Sequence, residues 1–152
     1  MSAPRSFAAA LALASAAALP GCGSPALGTW ELVDVSWGEL TVQEAWSGPS
    51  APGAAGASCT FTASLTAELV LDEQDGDELE GELEVVYRER TTGCEGPNFS
   101  EREVIRVDGD LEGGDDIELD TRELGRFDCE IDGDELECVD DVGDDWWFER
   151  VG

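Results

Sequence analysis

The chain has 152 residues, 36 of them acidic and 8 basic, for a formal charge of −28 at neutral pH. It contains no histidine, which excludes Ser-His-Asp and Cys-His catalysis, histidine-ligated zinc or copper and the common pH switch. Every basic residue is arginine, and so negative a field repels nucleic acid and anionic lipid surfaces.

The N-terminus has the anatomy of an export signal. Arg5 supplies a positive start, and Phe7 to Leu19 is a run of apolar and small residues too short to span a bilayer comfortably. Leu19-Pro20-Gly21-Cys22 closes the run. This resembles the lipobox of bacterial lipoproteins. The resemblance implies a signal peptide over 1–21, lipidation of Cys22 and a lipid-anchored place in the cell envelope. Gly23 stands where enteric lipoproteins retained in the inner membrane carry aspartate, so the resemblance implies the outer membrane. The alternative is an ordinary secretory signal cut near Gly21. A single acyl chain binds a membrane only marginally, whereas two or more hold it. Residues 22–27 read as a tether of roughly 20 Å at most, leaving 28–152 as a single domain.

The domain reads as all-β. Leu65, Ala67, Leu69 and Leu71 alternate with polar residues, and after Asp75-Gly76-Asp77-Glu78 the alternation resumes through Leu79, Gly81, Leu83, Val85 and Tyr87. Period-two alternation on both sides of an Asp-Gly turn is a hairpin signal. Asp132-Gly133-Asp134-Glu135-Leu136 repeats Asp75 to Leu79 residue for residue, and Asp108-Gly109-Asp110-Leu111 reads as a third, shorter turn. Strands are expected at 29–37, 40–46, 60–72, 79–91, 101–107, 115–120, 125–131, 136–140 and 146–151. Eight or nine short antiparallel strands suggest an up-and-down barrel, with a β-sandwich as the alternative. Between Ser47 and Ser58 only Gly, Pro, Ala and Ser occur, which reads as a loop with nothing to bury.

Beyond Cys22 four cysteines remain, Cys59, Cys94, Cys129 and Cys138. In an exported small domain they read as two disulfides with three possible pairings. A four-cysteine metal site is the rival, but its ligands come in close pairs, which are missing here. A hairpin loop at Asp132–Glu135 sets Ile131 opposite Leu136 and Cys129 opposite Cys138. That leaves Cys59 for Cys94, at the open end of the preceding hairpin. The acidic run Asp72 to Glu78 lacks the Asp-x-Asp-x-Asp-Gly spacing of a calcium loop. No nucleophile elbow, phosphate loop or Cys-x-x-Cys is present. Neither an enzyme nor a metal or cofactor site is expected.

Gly28-Thr29-Trp30 is similar to the Gly-x-Trp motif that opens the first strand of lipocalins and bacterial lipocalin-like domains. The resemblance implies an up-and-down barrel in which Trp30 closes one end and an arginine near the C-terminus, here Arg150, packs across the indole. It also implies a small apolar ligand if the interior is free. The inward set Leu65, Leu69, Leu71, Leu79, Leu83, Val85 and Tyr87 is medium-sized, with Gly81 and Ala67 leaving room. Trp37, Trp46, Trp146 and Trp147 add aromatic surface, either as core under a loop or as a ligand-lined mouth. The rival reading is a structural or interaction lipoprotein with a filled barrel that works through its acidic surface.

Overall fold

The computed structural model describes residues 24–47 and 58–152. Residues 1–21, read from sequence as a signal peptide, Cys22 and most of the Gly/Pro/Ala/Ser loop lie outside the described residues, as does the side chain of Trp46. Nine strands follow in chain order: β1 (Gly28–Val35), β2 (Thr41–Ser47), β3 (Ser58–Asp75), β4 (Glu78–Thr92), β5 (Phe99–Gly113), β6 (Asp116–Thr121), β7 (Gly125–Asp132), β8 (Glu135–Asp140) and β9 (Asp145–Val151).

All neighbouring strands pair antiparallel, in the order β1-β9-β8-β7-β6-β5-β4-β3, and β1 pairs with β3 to close an eight-stranded up-and-down barrel. The ninth strand, β2, is extra and pairs with β3. Alternation puts one side of every barrel strand indoors. Ala67, Leu69, Leu71, Leu79, Leu83, Ile105, Val107, Ile117, Leu119, Phe127, Ile131, Leu136 and Phe148 form that interior, while the intervening carboxylates face water.

The interior is filled. The space remaining among Leu69, Leu83, Val107, Leu119, Phe127 and Phe148 is about 10 Å³, at most room for one water. Gly81, read from sequence as leaving room, leaves none. A Cβ there would lie 2.0 Å from the Val70 carbonyl oxygen, because β3 bulges between Leu71 and Glu73 and brings its backbone inward. Leu65, Val85 and Tyr87 are only half-buried. Leu65 and Val85 pack against the edge of the core at the rim, and Tyr87 stands beyond it.

Two of the three expected turns form. At Asp75–Glu78 and Asp132–Glu135 the flanking acids pair with each other, and Gly76 (φ 65°) and Gly133 (φ 66°) take the first central position. A positive φ there matches the twist of the strands, and glycine adopts it without strain. The expected turn at Asp108–Leu111 does not form. Gly109 is buried inside β5, where a Cβ would come within 2.7 Å of a Leu119 methyl. The chain reverses at Gly113-Gly114 instead, where φ reaches 120° and 67°. This is why β5 runs six residues past the expected end.

Strands β3, β4 and β5 are too long for the barrel. The first half of β3 (Ser58–Ser64) pairs with β2 on one side and with Arg88–Thr92 of β4 on the other. The first half of β5 pairs with β4 alone, since β6 begins its ladder at Val107. A four-stranded sheet, β2-β3-β4-β5, therefore projects from the rim opposite the N-terminus.

Candidate functional site

The N-terminal end of the barrel is sealed. Trp30 is fully buried, and its indole N–H donates to the Ala26 carbonyl at 3.1 Å. The Arg150 guanidinium lies 4.1 Å over the Trp30 ring and donates to the carbonyls of Leu27 (2.7 Å) and Pro25. Gly28 is obliged to be glycine: its φ is +142°, and a Cβ would sit 2.7 Å from Arg150 Nη1. The segment read from sequence as the end of a tether is therefore part of the fold. Ser24 to Leu27 turn back onto the barrel, with Ala26 fully buried. The reason is local: the buried indole N–H and the guanidinium both require acceptors, and the carbonyls of Pro25, Ala26 and Leu27 are those acceptors.

The opposite end is sealed too. Trp146, on β9, packs edge-on against Phe127 (5.4 Å) and stacks with Phe148 (6.5 Å). Trp37, from the β1–β2 link, covers it at 4.6 Å between ring centroids. Such aromatic pairs prefer tilted or offset geometry. Asp140 ties this cap together. It accepts the Trp146 indole N–H at 3.1 Å and the backbone N–H groups of Val142 (3.1 Å) and Asp144 (2.9 Å). Burial opposes its charged form, but these donors prevail and hold its carboxyl below the usual carboxylate range. The sequence flagged Trp37 and Trp146 but gave neither a partner. Neither the Trp37–Trp146 contact nor the role of Asp140 has a short-range signature.

The cysteines lie in two pairs at disulfide distance. Cys59 and Cys94 have Cα atoms 5.5 Å apart and clasp the tip of the projecting sheet. Cys129 and Cys138 face each other across β7 and β8, with Cα atoms 4.0 Å apart. Ile131 stands opposite Leu136, in the expected register. The connection is tighter than expected, because Asp132 and Glu135 pair and only Gly133 and Asp134 remain between them.

The projecting sheet has two unlike faces. The face continuous with the barrel interior carries Phe61, Leu65, Tyr87 and Phe99 with Glu89, Glu101 and Glu103. Tyr87 donates to Glu89 at 2.6 Å, and that bond raises its phenol above the usual range. Tyr87 also leans on Phe99 at 6.5 Å. The outward face is different. Across paired rows it reads Thr41-Ser64-Arg88-Ser100, Gln43-Thr62-Arg90 and Thr66-Val86-Arg102. No carboxylate stands in these rows. Arg102 donates to Glu84 at the barrel rim, 2.5 Å away. Arg88 and Arg90 form no ion pair among the described residues.

Among the described residues no group of three or more His, Cys, Asp or Glu is disposed to hold a metal ion. Comparison with protein-family models, with curated proteins and with solved structures finds no match.

Proposed function

We propose that this chain is a lipid-anchored cell-envelope lipoprotein whose filled, lipocalin-like barrel is a rigid scaffold that works through its surface and catalyses nothing. The observation that carries the surface reading is the interior. Its residual space of about 10 Å³ is far below the roughly 300–1,000 Å³ of small-molecule pockets. Tryptophan caps cover both ends, so a ligand inside would have to displace core side chains at several kcal/mol apiece. The anchor reading rests on Leu19-Pro20-Gly21-Cys22, and the docked Ser24–Leu27 segment gives it a consequence. Gly23 alone separates Cys22 from the folded cap. A lipid on Cys22 would hold the sealed end close to the headgroups and aim the projecting sheet away from the membrane. The turns at the sealed end carry Asp75, Asp77, Asp115, Asp132 and Asp134. Their repulsion from an anionic leaflet would keep the barrel from lying flat.

Two measurements test this. Cys22→Ser should move the protein from the membrane fraction to the soluble fraction or leave it unprocessed. Unchanged partition into detergent refutes the anchor. Titration with an apolar fluorophore should leave the tryptophan emission unquenched. Saturable quenching at one site per chain would restore the ligand-carrier reading.

A further inference from the structure

We propose that the outward face of the projecting sheet is a docking surface for an acidic polysaccharide, that is, a chain of sugar rings bearing spaced carboxylates. The proposal builds on the reading that the domain works through its surface, and it is independent of the lipid anchor.

The face is a charge anomaly. The chain carries 36 acids against 8 arginines, yet Arg88, Arg90 and Arg102 share a face whose three rows beyond the barrel rim hold no acid; Glu84, on the same face at the rim, pairs with Arg102 and leaves Arg88 and Arg90 without an ion pair among the described residues. Arg88 and Arg90 are two residues apart on one strand, about 6.5 Å by strand geometry. Arg102 lies diagonally across the next strand, about 7–8 Å from Arg88. The net negative charge does not cancel this patch. Thr62 and Asp75 are thirteen residues apart on β3, roughly 40 Å at 3.3 Å per residue. The Debye length at physiological salt is about 8 Å. The acidic N-terminal end is therefore screened from the face. The nearer carboxylates Glu89, Glu101 and Glu103 leave the sheet on its other side, so a partner on this face meets Arg88 and Arg90 first.

The remaining side chains select the class of anion. Thr41, Thr62, Ser64, Thr66 and Ser100 surround the guanidiniums with hydroxyls, which donate and accept as sugar hydroxyls require. Arginine matches carboxylate in a two-bond fork. A protein partner would call for buried aromatic anchors, and Phe61, Tyr87 and Phe99 lie on the other face of this sheet. Nucleic acid, with one charge per about 1.7 Å of duplex, would bring most of its phosphates against the flanking barrel carboxylates. A sparsely charged polymer can set its carboxylates on the arginines and its neutral ring edges elsewhere.

The test uses the full chain in detergent with immobilised polygalacturonate at physiological salt. Neutral dextran and poly-glutamate serve as comparison polymers. The unaltered protein should bind polygalacturonate in preference to both. The triple variant R88Q/R90Q/R102Q should lose at least about tenfold in affinity. R106Q/R122Q/R126Q removes the same three charges from outside the face and should bind within about twofold of the parent. Thr62→Glu, which sets a carboxylate opposite Arg90 and diagonal to Arg88, should weaken binding in the same direction as the first triple variant. The proposal is overturned if the two triple variants bind alike, if the unaltered protein ignores polygalacturonate, or if poly-glutamate binds as tightly. Each of these outcomes leaves the membrane partition of Cys22→Ser and the fluorophore titration untouched, so this proposal and the scaffold reading can fail separately.

Discussion

Trp30→Ala is the sharpest probe of how the barrel is closed. The substitution removes a fully buried indole, and large aromatic deletions cost about 3–5 kcal/mol. The upper half of that range is expected here for two reasons. The Ala26 carbonyl loses its 3.1 Å donor, a loss of about 1 kcal/mol for a neutral hydrogen bond. Arg150 also loses the ring 4.1 Å beneath it, worth about 0.5–2 kcal/mol at a partly exposed site. A total of about 4–5 kcal/mol lowers Tm by about 15–20 °C for a domain of this size. Far-UV circular dichroism in a urea series is the assay, because it does not depend on the missing fluorophore. The midpoint should fall with the slope unchanged. Arg150→Ala should cost less, and the double variant should fall short of the summed losses by about 1–2 kcal/mol. Strict additivity, or a Trp30→Ala loss under about 2 kcal/mol, would mean that the N-terminal cap is not built on this stack.

Gly81→Ala should destabilise by several kcal/mol, near the upper end of about 1–3 kcal/mol for overpacking or beyond it, because its Cβ would meet backbone at Val70 and Leu71 and not a movable side chain. Gly76→Ala, in open space but at φ 65°, should cost only about 1–2 kcal/mol; equal losses in chemical denaturation would refute the bulge argument. Asp140→Asn probes the distal cap. The Asp140 carboxyl is held below its ordinary value of about 3.9, so the folded state binds fewer protons there than the unfolded one. Its stabilisation is full above about pH 4 and disappears as pH falls through the depressed value. Asp140→Asn should therefore be less stable than the parent at neutral pH, with the gap closing in acid. A gap that stays constant from neutrality to about pH 2 would contradict the assigned donors.

How much was legible in the sequence depended on range. The alternation of Leu65 to Tyr87 exposed β3 and β4, and the barrel follows from eight strands, with β2 the extra one. The Cys129–Cys138 register followed from one turn. The same dipeptide misled at Asp108-Gly109. There the alternation Ile105, Val107, Gly109, Leu111 runs unbroken through the glycine and marks it as a strand position facing Leu119. A turn residue and a space-making residue look alike until the facing strand is known. The same limit hid the role of Ser24 to Leu27. Expected to be a tether, these residues read as slack, and only the donors on Trp30 and Arg150, the latter more than a hundred residues downstream, make the carbonyls of Pro25, Ala26 and Leu27 structural.

The length of β3 holds the main consequence. A strand that only closed the barrel would end near Leu65. This one continues to Ser58 and gains a separate partner in β2, so the chain spends β2 and half of each of three long strands on a sheet that closes nothing. That sheet leaves two open edges, a form proteins guard because unpaired strands recruit other strands. The Cys59–Cys94 clasp holds β3 to the β4–β5 loop at its tip, where few core contacts would otherwise restrain it. A closed loop of this length contributes on the order of 3–4 kcal/mol in the chain-entropy account, placed where the apolar core does not reach. The barrel is held by its filled interior, its capped ends and the buried Cys129–Cys138 pair. Barrel and projecting sheet are thus stabilised by different means, chiefly core packing for one and the Cys59–Cys94 clasp for the other. A Cys59→Ser/Cys94→Ser variant, which keeps Cys129–Cys138, should accordingly loosen the projecting sheet in hydrogen exchange while the amides of Leu69, Leu83 and Ile105 in the barrel stay protected. Simultaneous loss of protection in both would show that sheet and barrel form one cooperative unit.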